Sequence, residues 1–277
     1  MRRSQLSYYR KRLGEESFRA SKAMLHALRS TPDTKNTVFV GGVQRSGTNM
    51  LMQVLERSFA TDVFHESDER AFSRSELRNN EQIHRLIERS GAPVPALKAL
   101  CDLDRFRHLL DEFAPAHGIW LVRDYPDVVN SHLALWKKMP YFLGEVLRDP
   151  ENGDAGWRAR GLSEESRATL ARLYHSDMDN ATACALFWYL RNTLLFDQAL
   201  ESDERVAIVG YEALVAEPKT MIPRLFAFLG LPYHDSHTGM VSATSIRKKP
   251  APTIEPAVQE LCEAMQQKLR DVERIPD

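Results

Sequence analysis

The sequence predicts an α/β protein with a parallel β-sheet flanked by helices on both faces. Two observations carry that expectation. Short apolar runs alternate along the chain with longer segments of helical periodicity, the order that builds a parallel sheet with crossover helices. Polar and charged candidate site residues stand just after several of those runs, at the edge where open parallel sheets bind their ligands.

The elements follow in order. Val38, Phe39 and Val40 form a buried strand that breaks at Gly41 and Gly42. The next segment places Leu51, Val54, Leu55 and Phe59 on one helical face. A short strand is expected over 62–64, then a helix carrying Ile83, Leu86 and Ile87. Residues 95–101 read as a strand, and 103–113 as a helix with apolar Phe106, Leu109, Leu110 and Phe113. Residues 119–122 form a strand that ends at Arg123. A helix opens near Pro126, a residue suited to a first helical turn. A long helix over 180–200, a strand over 206–209 and a closing helix over 256–272 complete the pattern. The expected organisation is one domain over 1–277, with an N-terminal helical extension over 1–36 and a helical insertion over 133–180. Within the extension, Leu6, Tyr9, Leu13, Met24, Leu25 and Leu28 recur at helical spacing. Basic residues there suit either a helix packed on the domain or one lying on a membrane surface.

Composition narrows the function classes. The 277 residues are 43% hydrophobic, enough for a full core, and the net charge is −1. A balanced chain has no global attraction for nucleic acid or an acidic membrane, so any anion site must be built locally. No apolar run reaches 18 residues and no signal-peptide core is visible, which leads to the expectation of a cytoplasmic protein without a membrane span. Cys101, Cys184 and Cys262 are odd in number, far apart and set in apolar segments, so they are expected to be buried thiols. Oligomeric state is not legible.

Two short motifs carry the chemistry. The first is TVFVGGVQRSGTNMLMQVLERS, residues 37–58, a strand, a glycine loop and a helix. Loop N–H groups and a helix N-terminus together attract an anion. Gly42 and Gly47 have the spacing of a Walker A loop, but Thr48 stands where its lysine would be, and the cation has moved to Arg45. The second is IWLVRDYPDVVNSH, residues 119–132, which places Arg123 at a strand end and Ser131 eight positions on. Arginine offers a forked donor for phosphate and serine a hydroxyl. An Arg capped by Asp124 or Asp127 beside an ordinary helix Ser is the other reading of that segment.

Both motifs resemble those of the sulfotransferases that use 3′-phosphoadenosine-5′-phosphosulfate (PAPS), and the resemblance runs over residues 37–250. It implies a P-loop NTPase-like sulfotransferase fold, closer to the Golgi, tyrosylprotein and bacterial members than to the cytosolic ones. RSGTN resembles the 5′-phosphosulfate loop, which gives Arg45, Ser46, Gly47, Thr48 and Asn49 the sulfuryl end of the donor. Arg123 and Ser131 match the pair that holds the 3′-phosphate. VAIVGYEALVAEP resembles the strand-Tyr-Glu segment whose Tyr, here Tyr211, packs near the nucleotide. VSATSIRKK resembles the late segment that closes over the 3′-phosphate, bringing in Thr244, Arg247 and Lys248. Lys249 stands where the family often has glycine, so Arg247 and Lys248 also fit a solvated basic turn.

By the same resemblance Glu66 occupies the position of the catalytic base. His65 is the rival, because cytosolic members use a His two residues after a strand Lys. Here Lys98 is followed at that spot by Leu100. Glu66 also fits a capping or ion-pairing role with Arg70. Lys98 suits either aid to the leaving group or a buried pair with a carboxylate. The family needs no metal, and His234 with His237 lacks a third ligand. The acceptor is expected to be a hydroxyl, with a glycan or other small molecule favoured and a phenol or peptide tyrosine also open. Trp136, Tyr141, Trp157, Arg158, Arg160 and Tyr174 in the insertion suit a sugar or core packing equally. Two other classes stay open: a P-loop kinase or nucleotidase, with Asp124 the one passable Mg²⁺ carboxylate, and a non-catalytic nucleotide- or glycan-binding module.

Overall fold

A computed structural model of the protein describes residues 17–276 except 19, 23, 29–33, 152 and 242–245. Five parallel strands form the central sheet: β1 (Thr37–Gly41), β2 (Thr61–Phe64), β5 (Val94–Lys98), β6 (Ala116–Val122) and β7 (Val206–Gly210). Their spatial order is β2-β5-β1-β6-β7. A two-stranded hairpin, β3 (Phe72–Ser73) with β4 (Glu76–Leu77), lies outside it.

The strands are apolar because both faces are covered. Successive side chains point to opposite faces of a strand. Val38 and Val40 accordingly pack with Ile119, Leu121, Ala207 and Val209 on one side of the sheet. Helices α1 (Thr48–Glu56), α8 (Tyr211–Ala216) and α9 (Pro218–Phe228) cover that side. Phe39, Leu97, Trp120 and Ile208 point to the other. There α2 (Asn80–Arg89), α3 (Phe106–Glu112), α4 (Tyr125–Leu135), α5 (Met139–Arg148), α6 (Glu164–Leu173), α7 (Asn180–Asp197) and α10 (Pro256–Asp271) complete the larger core. α7 lies against α4, α5 and α10 and is buried nearly all round, which explains its lack of a polar face.

Several boundaries differ from the sequence pattern. Phe59 was expected on the buried face of α1, but that helix ends at Glu56, and Phe59 is 43% exposed, packed against Phe18 at a tilt with ring centroids 5.0 Å apart. The strand expected to run to 101 stops at Lys98, and residues 99–101 turn away as a buried loop. Helix 103–113 opens with a 3-10 turn, Leu103–Arg105. After β7 the chain enters a short helix at once, α8, which the sequence pattern did not announce.

Of the N-terminal extension, the described residues between 17 and 28 are helical. Leu6, Tyr9 and Leu13 lie outside the described residues. Lys22 is buried, and its ammonium donates to the Glu56 carbonyl at 2.7 Å and to Thr61 Oγ1 at 3.0 Å. This segment therefore docks on the end of α1. No helix of the described residues is long and apolar enough to cross a membrane.

Candidate functional site

All the strand ends that matter share one edge. β1, β2, β5, β6 and β7 are parallel, so the residues following each of them meet at the carboxyl edge of the sheet.

The loop after β1 requires its two glycines. At Gly42 (φ +123°) a Cβ would stand 2.3 Å from the Leu121 carbonyl oxygen, and at Gly47 (φ +96°) 2.3 Å from the Tyr211 ring. Arg45 between them has φ 76°, a left-handed conformation that an L-residue holds only where the surroundings enforce it. α1 then begins at Thr48, and no side chain caps it. The Ser46 hydroxyl is 1% exposed and has no hydrogen-bond partner among the described residues. An uncapped helix N-terminus and a buried hydroxyl lacking a partner fit an oxyanion.

Side chains brace this loop from beneath. The Gln44 amide donates to the Leu100 carbonyl at 3.2 Å, and His132 Nε2–H donates to the Gln44 carbonyl at 2.8 Å. Burial holds the His132 imidazole neutral, its pKa lowered to about 4. That proton assignment follows from the acceptor, since a carbonyl can only accept. Sequence reasoning missed His132, whose signal was its place directly after Ser131 in the helix that follows β6.

The two phosphate motifs meet. Arg45 Nε donates to Ser131 Oγ at 2.9 Å, and Arg123 Nη1 donates to the Arg45 carbonyl at 3.0 Å. The Arg123 guanidinium also lies over the Tyr211 ring, 4.5 Å from its centroid, and 3.6 Å from Asp127. Asp127 in turn accepts from the Arg247 backbone N–H at 3.0 Å. Loop, β6 end, β7 end and late segment thus converge on one place. Lys248 is exposed, and Thr244 lies outside the described residues. The acidic contact to Arg123 is Asp127. Asp124 pairs instead with Arg270 at 2.8 Å.

The remaining site residues gather on the other side of α1. Lys98 is 4% exposed, and its ammonium lies 2.5 Å from Glu66 Oε2 and 2.8 Å from Asn49 Oδ1. Glu66 therefore pairs with Lys98, while Arg70 pairs with Asp68 at 2.6 Å. His65 Nε2 stands 3.7 Å from Glu56 Oε2. These groups open onto a cleft of about 860 Å³. Asn49 joins the cleft to the loop, because it is the second residue of α1.

Other candidates have structural work. His234 and His237 cap a 3-10 turn, with His237 Nδ1 accepting from the His234 N–H at 3.0 Å and His234 Nδ1 accepting from the Ser236 N–H. Arg158 lies over Phe142 and Trp157, and Trp136 and Trp157 pack edge-on to Phe187 of α7. Tyr141 donates to Asp154. A second carboxyl site went unread in the sequence: Glu212 is pushed up to about 7, first by burial and then by Asp124, whose N–H it accepts at 3.2 Å.

Comparison with known proteins adds to this geometry. The model of the sulfotransferase domain family matches residues 35–255. No curated protein sequence matches the chain significantly. Among solved structures, the chain is similar to the sulfotransferase domain of the Synechococcus PCC 7002 olefin synthase, at 16% identity over 90% of this chain and 93% of that one, with a TM-score of 0.46. It is similar to a sulfotransferase from Alicyclobacillus acidocaldarius, at 16% identity over 86% and 94%, with a TM-score of 0.48. It is also similar to a mouse sulfotransferase complexed with PAP, at 16% identity over 84% and 72%, with a TM-score of 0.44.

Proposed function

The chain belongs to the sulfotransferase domain family, a transferase family on a P-loop NTPase-like sheet, and on that premise we propose that it moves a sulfuryl group from PAPS to an acceptor hydroxyl, with a carbohydrate favoured. The observation that carries this reading is the junction of Arg45, Ser131 and Arg123 beside the uncapped start of α1 and the partnerless Ser46 hydroxyl. It brings a forked cation, hydroxyls and the uncapped helix start side by side, which suits a molecule carrying phosphate at two positions. Tyr211, packed under Arg123 and against Gly47, suits the wall of the nucleotide pocket.

The residues divide the work as follows. The donor's 3′-phosphate would be held by Arg123 and Ser131, with Thr244, Arg247 and Lys248 of the late segment closing over it. Its sulfuryl end would face Arg45 and the N–H groups of Gly47, Thr48 and Asn49. Glu66 takes the acceptor proton. The acceptor oxygen then forms its bond to sulfur as the bond between sulfur and the 5′-phosphate oxygen breaks. The electron pair stays on that oxygen, where Arg45 and the loop N–H groups meet the charge. Such transfer asks mostly for positioning and charge stabilisation, and removing one donor of this kind costs about 2.7–4 kcal/mol. Lys98 holds Glu66 in place through their 2.5 Å contact, and no step requires a metal. The three buried free thiols are in keeping with a cytoplasmic location.

Calorimetry with adenosine 3′,5′-diphosphate, 5′-AMP and ATP, each with and without Mg²⁺, tests the donor. Tight binding of the 3′,5′-diphosphate alone and no Mg²⁺ effect is the expected result. Equal or tighter binding of AMP, or ATP binding that requires Mg²⁺, would replace the assignment with a P-loop kinase or nucleotidase.

A further inference from the structure

The helical residues between 17 and 28 present two faces, and the domain covers one of them. Phe18 packs against Phe59 with ring centroids 5.0 Å apart, and the Lys22 ammonium donates to the Glu56 carbonyl and to Thr61 Oγ1. One turn on, His26 Nε2–H donates to the Phe59 carbonyl at 3.0 Å. Residues three and four apart share a face of a helix. By that spacing Ala20, Met24, Ala27 and Leu28 stand on the opposite face, and all four are exposed. Met24 is 66% and Leu28 74% exposed, the two highest values among the large hydrophobic side chains described. This outer stripe takes no part in the docking.

The sequence continues the stripe. Leu13, Tyr9 and Leu6, which lie outside the described residues, precede Ala20 by successive steps of seven, four and three. An apolar stripe of this kind can be covered by a second copy of itself or by lipid, and charge decides between them. Residues 1–30 carry eight basic side chains and two acidic ones, while the chain as a whole is balanced at −1. Arg19 and Arg29 are the covalent neighbours of Ala20 and Leu28, so their Cα atoms lie about 3.8 Å from the stripe. Two such segments laid together would oppose like charges. Anionic headgroups would instead attract them while the apolar side chains leave water.

We infer that the protein binds the surface of an anionic membrane through this helix, with Met24 and Leu28 entering the headgroup layer and the adjoining basic side chains meeting lipid phosphates. The attachment is to one surface, since no helix of the described residues is long and apolar enough to cross a membrane. It goes beyond the sulfuryl-transfer reading and does not depend on it. Glu56, Phe59 and Thr61, which hold the helix, lie where α1 ends and β2 begins. Arg45 and Arg123 lie past the carboxyl ends of β1 and β6, away from this contact.

Co-sedimentation of the full chain with vesicles of phosphatidylcholine, alone or in equal parts with phosphatidylglycerol, tests the attachment at low and high salt. Partition onto the mixed vesicles should exceed that onto the neutral ones by about tenfold or more and fall at high salt. Met24→Glu combined with Leu28→Glu should lower that partition by about tenfold or more, with the melting temperature and the binding of adenosine 3′,5′-diphosphate unchanged. Both positions are exposed and glutamate is a good helix former, so the double variant tests the stripe and not the fold. No pelleting with the mixed vesicles, equal pelleting with the neutral ones, or pelleting that the double variant retains overturns the inference. So does a dimer, detected by sedimentation velocity without lipid, that the double variant dissociates, because a second copy would then cover the stripe.

Discussion

Lys98 Nζ lies 2.5 Å from Glu66 Oε2, a contact that joins the ends of two neighbouring parallel strands. Phe64 pairs with Leu97 in the sheet register, so the residues just past each strand end are brought side by side by topology alone. The pair is asymmetric. The Lys98 side chain is 5% exposed and that of Glu66 26%. Removing Lys98 leaves a carboxylate that water can reach. Removing the charge of Glu66 leaves a buried ammonium, the costlier orphan. Glu66→Gln should therefore destabilise by about 1–3 kcal/mol, and Lys98→Met by less. Urea melts of both variants check the order, and a larger loss for Lys98→Met would show that the lysine's packing, not its charge, holds the pair.

Glu66→Gln also separates base from scaffold. A positioned base contributes ~10²–10⁴-fold, so kcat should fall by that order while adenosine 3′,5′-diphosphate binds as before. His65→Gln should cost less, since His65 faces Glu56 across the cleft while Glu66 is held in place by Lys98. If His65→Gln abolishes turnover and Glu66→Gln retains most of it, the base is His65.

Arg123 is expected to read the 3′-phosphate. A hydrogen bond to a charged group is worth ~1.5–3 kcal/mol. Arg123→Ala should lose that much affinity for adenosine 3′,5′-diphosphate and little for 5′-AMP, as titration calorimetry would register. An equal loss for both nucleotides would place Arg123 under the loop as a brace, through its bond to the Arg45 carbonyl.

Much of the site was legible because it sits where strands end. An apolar run, a glycine pair and Arg45 defined the loop from residues 38–49, and Arg123 declared itself by ending β6. The Lys98–Glu66 pair was open to two readings, because periodicity locates strand ends but not which ends are adjacent. That adjacency depends on the order β2-β5-β1-β6-β7, which places β5 between β2 and β1. The helix at Tyr211–Ala216 was missed because it is six residues long, too short for a 3.6-residue period to emerge. Glu212 was missed because Asp124, which both raises it and donates an N–H to it, is remote from it in sequence.

Arg45 is the residue whose contact should strengthen as charge develops on the leaving oxygen. Interactions that grow in the transition state lower kcat when removed, and those already present in the bound state raise KM. Arg45→Ala is thus expected to reduce kcat more than it raises the donor's KM. Ser131→Ala, which frees the Arg45 guanidinium from its 2.9 Å bond, should leave kcat closer to the parent value and weaken donor binding. A pure KM effect for Arg45→Ala would make it a binding residue like Arg123.

Glu212 gives the fold a pH dependence of definite sign. In the unfolded chain its carboxyl titrates near the ordinary 4.5, and in the fold burial and Asp124 push it up to about 7. Between those values the folded state holds a proton that the unfolded state has released. Stability contributed by the protonated form is complete below pH 4.5 and is lost as pH rises through about 7. The loss is on the order of 3 kcal/mol at its plateau. Glu212→Gln keeps an oxygen to accept the Asp124 N–H but cannot ionise. Its melting temperature minus that of the parent should be near zero at pH 4.5 and grow to a plateau above pH 7. Glu273, raised by burial in the same direction, is present in both proteins and cancels in the difference. A difference that does not change with pH would mean that the Glu212 carboxyl is ionised throughout and is held by Arg123 instead of by its proton.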